Sequence, residues 1–300
     1  YKTPYINRKQ TWGFGFGAEA ELNRTLVVAN EENRNVYYDV ETGFLQQRYM
    51  AYAQVFYRPA WYLYHDLSVS YSHYIFADTL RSVEGFFTGD TSLDHDLFSL
   101  AYKIKYDRRD EKYYPLAGYY ADFEFLQQGF PGRTEYITAC KAALKGFWRL
   151  GRRWYWASGA TGRCSFPQEQ PFYLQQGLGY GRDFLRGYDS YIIPGQHFVI
   201  SKSNLKFAIL PQRTIRLSFI ETPKFAVVPM ALYLNLFTDF GYVWNQTGFQ
   251  SKDNTLTNTF LLGYGLELDF ATYYDVVIGA GFSMNIQGTP GVFLHFIAPI

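Results

Sequence analysis

A period of two constrains this chain more than any other feature. In TWGFGFGAEAEL, Trp12, Phe14, Phe16, Ala18, Ala20 and Leu22 fall on one face, and Gly13, Gly15, Gly17, Glu19 and Glu21 on the other. That is a strand with one apolar and one polar side. The pattern returns in LFSLAYKIKYD, where Phe98, Leu100, Tyr102, Ile104 and Tyr106 oppose Ser99, Ala101, Lys103, Lys105 and Asp107. It returns again in FLLGYGLELDF, where Leu262, Tyr264, Leu266, Leu268 and Phe270 oppose Gly263, Gly265, Glu267 and Asp269. The glycines of GFGFG look like a phosphate loop, but such a loop turns from strand into helix and this one runs on as a strand. The same rule predicts strands at 11–23, 44–57, 62–76, 96–107, 117–127, 134–148, 154–164, 197–210, 229–244, 258–270, 275–285 and 291–298.

A soluble sandwich or lipocalin-like barrel also alternates, so the period alone does not choose. Aromatic residues make up 20% of the chain and charged residues only 18%, against about 25% charged in ordinary soluble domains. Membrane barrels use strands of about 9–11 residues, an outward apolar band, aromatic girdles, and short turns alternating with long loops. Here the connections near 24–43, 77–95, 165–196 and 245–257 are long, and those near 58–61, 108–116, 149–153 and 271–274 are short. The long set is expected outside the cell and the short set in the periplasm, with 211–228 breaking the alternation. The expected fold is all-β, an antiparallel transmembrane β-barrel of about 12 strands forming one domain over 1–300. A net charge of +1 gives no electrostatic case for nucleic acid. No apolar run reaches the ~20 residues of a spanning helix. The sequence opens at Tyr1 without a charged n-region or apolar h-region, so an outer-membrane destination is expected from the barrel pattern.

One stretch, GRDFLRGYDSYIIPGQHF at 181–198, does not alternate. It contains Leu185, Arg186, Gly187 and Tyr188, which resemble the (V/I/L)-R-G-(F/Y) motif in the sixth exterior loop of the BamA/TamA superfamily, the bacterial surface antigen barrels. Three further segments match in order. YDRRDEKYYPLAGYY (106–120) resembles the family's Asp/Arg-rich periplasmic turn, QPFYLQQGLGYG (170–181) the lead-in to the Arg-Gly loop, and LFTDFGYVW (236–244) a strand with an Asp-x-Gly-x-x-Trp core. The resemblance implies strands 5–16 of a sixteen-stranded barrel, with TPYINRKQ similar to the turn after the fourth strand, so that either the first strands lie upstream or this variant closes with fewer. The POTRA domains that usually precede the family's barrel are absent from these residues, and VFLHFIAPI lacks the terminal aromatic typical of outer-membrane barrels.

The implied function is to assist insertion and folding of outer-membrane proteins, or translocation of a client polypeptide, through a lateral seam. The implied partners are the lipid bilayer, unfolded outer-membrane or secreted clients, POTRA domains and envelope lipoproteins, in a Gram-negative-type outer membrane. No cofactor is implied. The alternatives are a passive porin-like channel and a POTRA-less structural partner in an envelope complex. A surface hydrolase is a third, disfavoured because the sequence holds no nucleophile elbow and no clustered Ser/His/Asp arrangement.

In the resembled family the loop folds into the lumen, where its Arg meets an acid on the wall. A guanidinium stays charged and presents a planar fork of donors, so enclosing it demands a carboxylate or several carbonyls. Alternation turns Asp239 inward with Tyr233, Asn235 and Gly241, and Leu232, Leu234, Leu236, Phe240, Tyr242 and Trp244 toward lipid. Arg186 is therefore expected to pair with Asp239, with Glu267 and Asp269 in reserve on the next strand. Where the family often has a second acid after the loop, this chain offers Asn204 or Lys206. Gly187 is expected to permit a tight bend. Asp107, Arg109 and Asp110 read either as a salt-bridged turn contacting periplasmic partners or, preferably, as solvated charge. Cys140 and Cys164 flank the LGRR turn on one face, so a cross-strand disulfide and two free lipid-facing thiols both fit, the second preferred. The histidines at 65, 73, 95, 197 and 295 show no metal spacing, and His95 reads as a solvated strand start.

Overall fold

The computed structural model describes residues 1–87, 92–130, 135–181, 183–216, 227–245, 253–272 and 276–296. The strands in chain order are β1 (Lys2–Thr3), β2 (Trp12–Asn23), β3 (Thr25–Glu31), β4 (Arg34–Asp39) and β5 (Gln46–Ala60). Then follow β6 (Leu63–Phe76), β7 (Asp94–Asp107), β8 (Gly118–Gln128), β9 (Ile137–Arg149) and β10 (Trp154–Phe166). The last five are β11 (His197–Arg216), β12 (Val227–Trp244), β13 (Phe260–Ala271), β14 (Val277–Asn285) and β15 (Pro290–His295). All but β3 and β4 join one antiparallel sheet of 13 strands in sequence order, a meander with no crossover. Every strand expected from the alternation is present. The expected starts at 134 and 275, the expected end at 298 and much of 245–257 lie outside the described residues.

The side-chain pattern is the reverse of a soluble core. On β12, Tyr233, Asn235, Phe237 and Asp239 are buried, while Leu234, Leu236, Phe240 and Trp244 are exposed. Leucines outside and a carboxylate inside call for lipid around the sheet. Exposed rings gather at the two rims: Trp12, Trp61, Tyr119, Trp148 and Trp154 at the short-turn end, and Tyr49, Tyr71, Phe98, Phe166 and Trp244 at the long-loop end. These are the girdles of a membrane barrel. Among the described residues β15 pairs only with β14, and β2 only with β5 and the β1 stub, so the sheet ends in two edges that do not meet.

Three features depart from the sequence reading. The first long loop holds a hairpin, β3–β4, turning on Glu32 and Asn33, both with positive φ (49° and 59°). What is described of the segment that broke the turn-and-loop alternation is strand: β11 continues to Arg216, past its last β10 pair at Phe207, and β12 starts at Val227, before its first β13 pair at Ala231. The two form a ribbon that overhangs the short-turn rim by about 13 Å past β13 and about 23 Å past β10, at ~3.3 Å per residue. Register shifts between Ala208, Leu210 and Arg213, with Pro211 beside them, blunt its free edge. Residues 217–226 of that segment lie outside the described residues. The third departure is His95, which is buried where a solvated strand start was expected. Its Nδ1 lies 2.6 Å from Glu135, and Tyr173 donates to the same carboxylate at 2.8 Å. The reason is that the long loops fold back over the barrel mouth, packing Leu45, Phe76, Leu80, Phe86, Ile137 and Leu174 into a small core.

Cys140 and Cys164 are directly opposed in the β9–β10 register. The Leu150 N–Trp154 O hydrogen bond at the turn marks which pairs exchange backbone bonds. Counting by two along the register makes Cys140–Cys164 a hydrogen-bonded pair, in which side chains lie further apart than in the alternate kind. Both cysteines are free.

Candidate functional site

The connection between β10 and β11 folds into the barrel. Its base is a two-residue clamp, with Leu178 N donating to Ile193 O and Ile193 N to Leu178 O, each at 2.9 Å. Leu185 and Tyr188 pack with Ile193, Phe198, Ile200, Val243 and Leu261, which fastens the loop to the inner faces of β11, β12 and β13. Gly187 has φ +89°, the left-handed bend expected there. At the same point the loop backbone lies flat against β13: a Cβ on Gly263 would collide with the Arg186 carbonyl oxygen.

Between these apolar contacts stands Arg186, its side chain 1% exposed. Its Nε donates to Asp239 Oδ2 at 2.8 Å and its Nη2 to Asp239 Oδ1 at 2.5 Å, a bidentate fork. Nη2 also donates to Asn204 Oδ1 at 2.6 Å, and Nη1 reaches Glu267 Oε2 at 3.5 Å. The Phe237 ring lies 3.9 Å beneath the guanidinium carbon. Burial works against the charge, but the Asp239 carboxylate outweighs it and holds the Arg186 pKa above its ordinary value. Of the two residues offered in place of a second acid, Asn204 makes the contact. Lys206 instead places its ammonium 4.0 Å from the Tyr114 ring centroid.

Asp269 is not among the guanidinium's contacts, which corrects its expected place as a reserve partner. It sits further toward the short-turn end, where Tyr114 donates to its Oδ2 at 2.8 Å and Asn235 donates to the same oxygen. Tyr114 comes from the 108–117 turn, which therefore reaches up under the lumen. Burial, and then the Asp269 carboxylate, push its hydroxyl well above the ordinary tyrosine pKa. The charges of that turn hold it in shape. Arg109 binds Asp107 through Nε and Nη2, both at 2.8 Å, with the two side chains only 14% and 13% exposed. Asp110 Oδ1 accepts from the Glu111 and Leu116 amides at 2.9 and 3.1 Å. The preferred reading of these residues as solvated charge is corrected for the Asp107–Arg109 pair, because the turn tucks inward and shields it.

Two residues join the site that the sequence reading left out of it. His295 on β15 places Nδ1 2.8 Å from Glu267 Oε1 and Nε2 3.1 Å from Asp189 Oδ1. Asp189 Oδ2 in turn accepts from the Gly187 amide at 2.9 Å. The usable signals were an acid two residues beyond Gly187 and the inward parity of His295. Above the loop, the β3–β4 hairpin closes down: Ile192 N donates to Asn33 O at 2.8 Å, and Asn254 Nδ2 to Asn30 O at 2.8 Å. Asn33 N also donates to Asn254 Oδ1 at 2.7 Å. The lumen thus carries a loop pinned by charge at its centre, roofed from outside and reached from below by Tyr114.

A membrane-type antiparallel barrel with an arginine-anchored loop in its lumen is the class that this fold and site define. A model of the Omp85 superfamily domain matches residues 1–272, and the chain belongs to that superfamily. Among solved structures it is similar to BamA from Haemophilus ducreyi lacking POTRA domains 1–3, with 17% sequence identity and a TM-score of 0.62. That match covers 99% of this chain and 59% of the BamA chain, so the chain spans about three fifths of that relative's length. A second match is the β domain of the Bordetella autotransporter BrkA, at 11% identity, 96% and 95% coverage and a TM-score of 0.29. No curated protein matches.

Proposed function

We propose that this chain is the barrel region of an outer-membrane assembly or translocation protein, which receives unfolded polypeptide clients and passes them into or across the membrane at the edge of its sheet. The observation that carries the reading is the occupied lumen in a member of the Omp85 superfamily. Arg186, locked between Asp239, Asn204 and Glu267, leaves a passive pore little room, and the asparagine contacts of β3–β4 cover the mouth. The work proposed is physical and needs no cofactor. A client strand in lipid lacks partners for its amides, and a free sheet edge supplies them. The loop motif Leu185–Tyr188 would brace the lumen while that edge is used, and the Asp107–Asp110 turn would set the periplasmic face toward POTRA domains or lipoproteins.

Depleting the protein in cells and quantifying folded outer-membrane barrels tests this. Their loss from the membrane supports the reading. Unchanged barrel content, together with steady conductance of the purified protein in planar bilayers, would establish the passive channel instead.

A further inference from the structure

The last described strand is weakly held by its backbone. β15 has six residues, and its register with β14 runs only from Gly279–His295 to Met284–Pro290. Among the described residues its other edge has no strand partner. Short edge strands fray unless side chains tie them down.

His295 provides such a tie, and the wall has a gap for it. Its register partner on β14 is Gly279, where a Cβ would run into the Glu267 carboxylate. Through the space left by that missing side chain, Glu267 on β13 and His295 on β15 meet across an intervening strand at 2.8 Å. The second ring nitrogen meets Asp189 of the loop at 3.1 Å. Ionised carboxylates only accept, so the imidazole donates from both nitrogens and bears a positive charge. The Phe184 ring flanks it, with centroids 5.6 Å apart. Glu267 also faces Arg186, and Asp189 also holds the Gly187 amide. The contacts close a circuit: Arg186, Glu267, His295, Asp189, Gly187, and back along the chain to Arg186.

We propose that His295 is a clasp joining the last strand to the seated loop, so that β15 leaves the sheet only as Asp189 lets go, and unseating the loop likewise frees β15. Reciprocity follows because one set of contacts serves both equilibria. The purpose of the clasp, holding β15 on the sheet until the loop moves, rests on the assembly reading above. Its existence does not.

Amide hydrogen exchange on the full chain in lipid nanodiscs tests it, comparing His295→Ala, Asp189→Asn and the double variant. Either single change is expected to speed exchange about tenfold both in 290–295 and in 183–193, as losing one charge-assisted hydrogen bond would. The double variant should exchange no faster than the faster single one. The proposal is overturned if His295→Ala leaves 183–193 unchanged, if Asp189→Asn leaves 290–295 unchanged, or if the two effects multiply. Slow exchange in β5 and β6 certifies folding; should His295→Ala fail that check, Asp189→Asn decides alone. Client assembly is measured separately. Coupling lost with assembly intact sinks the clasp alone, and coupling kept without assembly sinks the functional reading alone.

Discussion

Cutting the Arg186–Asp239 pair is the perturbation whose size follows most directly from the structure. Both side chains are almost wholly inaccessible, at 1% and 0%. Removing one partner of such a pair strands the other charge out of water, at a cost of about 3–5 kcal/mol. The two single variants should differ. Arg186→Ala deletes the fork to Asp239 together with the Asn204 and Glu267 contacts. Asp239→Ala leaves the guanidinium with Asn204 and Glu267, so its cost falls at the lower end of the range. Because the pair is shared, the double variant should cost less than the sum of the singles, with a coupling of about 2–3 kcal/mol. Reversible urea unfolding of the barrel in lipid vesicles, followed by tryptophan fluorescence, gives all three numbers. Additivity within about 0.5 kcal/mol would refute the argument that these two groups pay each other's desolvation.

Three further outcomes are expected. Asn204→Ala should destabilise the barrel by about 1.5–3 kcal/mol, the value of a hydrogen bond to a charged group, in the same urea assay. Gly263→Ala should push the Arg186 carbonyl off the β13 wall and expose the loop, read as protease cleavage within 183–193 that the parent resists. Intact-mass analysis after alkylation without reductant should find Cys140 and Cys164 both modified, since both are free thiols.

What was legible in the sequence was whatever depends on side-chain period. Alternation located each long strand and assigned Asp239 to the inside of β12, because a one-residue slip would have reversed every face. The β3–β4 hairpin was missed although Asn33 offered a turn signal: the two-residue turn has Glu32 before it and no glycine. The overhanging ribbon was missed because Pro211 and two register shifts break the alternation where the strand in fact continues. Within the site, Arg186 and its wall acid share a motif and a parity rule. The His295–Glu267–Asp189 contacts do not, since they depend on how far each strand is staggered against the next and on where a long loop comes to rest. Asp269 shows the same limit from the other side. Its parity was read correctly, but its height along the barrel belongs to Tyr114.

The most direct test of the seated loop uses residues already present. Lys141 Nζ on the inner face of β9 lies 2.5 Å from Asp183 Oδ2, just ahead of the Arg-Gly motif. Carbodiimide treatment of intact membranes, which joins amine to carboxylate with no spacer, should yield a peptide linking Lys141 to Asp183. The Lys103–Glu124 pair, 3.1 Å apart on the same wall, serves as the reactivity control. If the control link forms and the Lys141–Asp183 link does not, the loop is not in the lumen and the account fails.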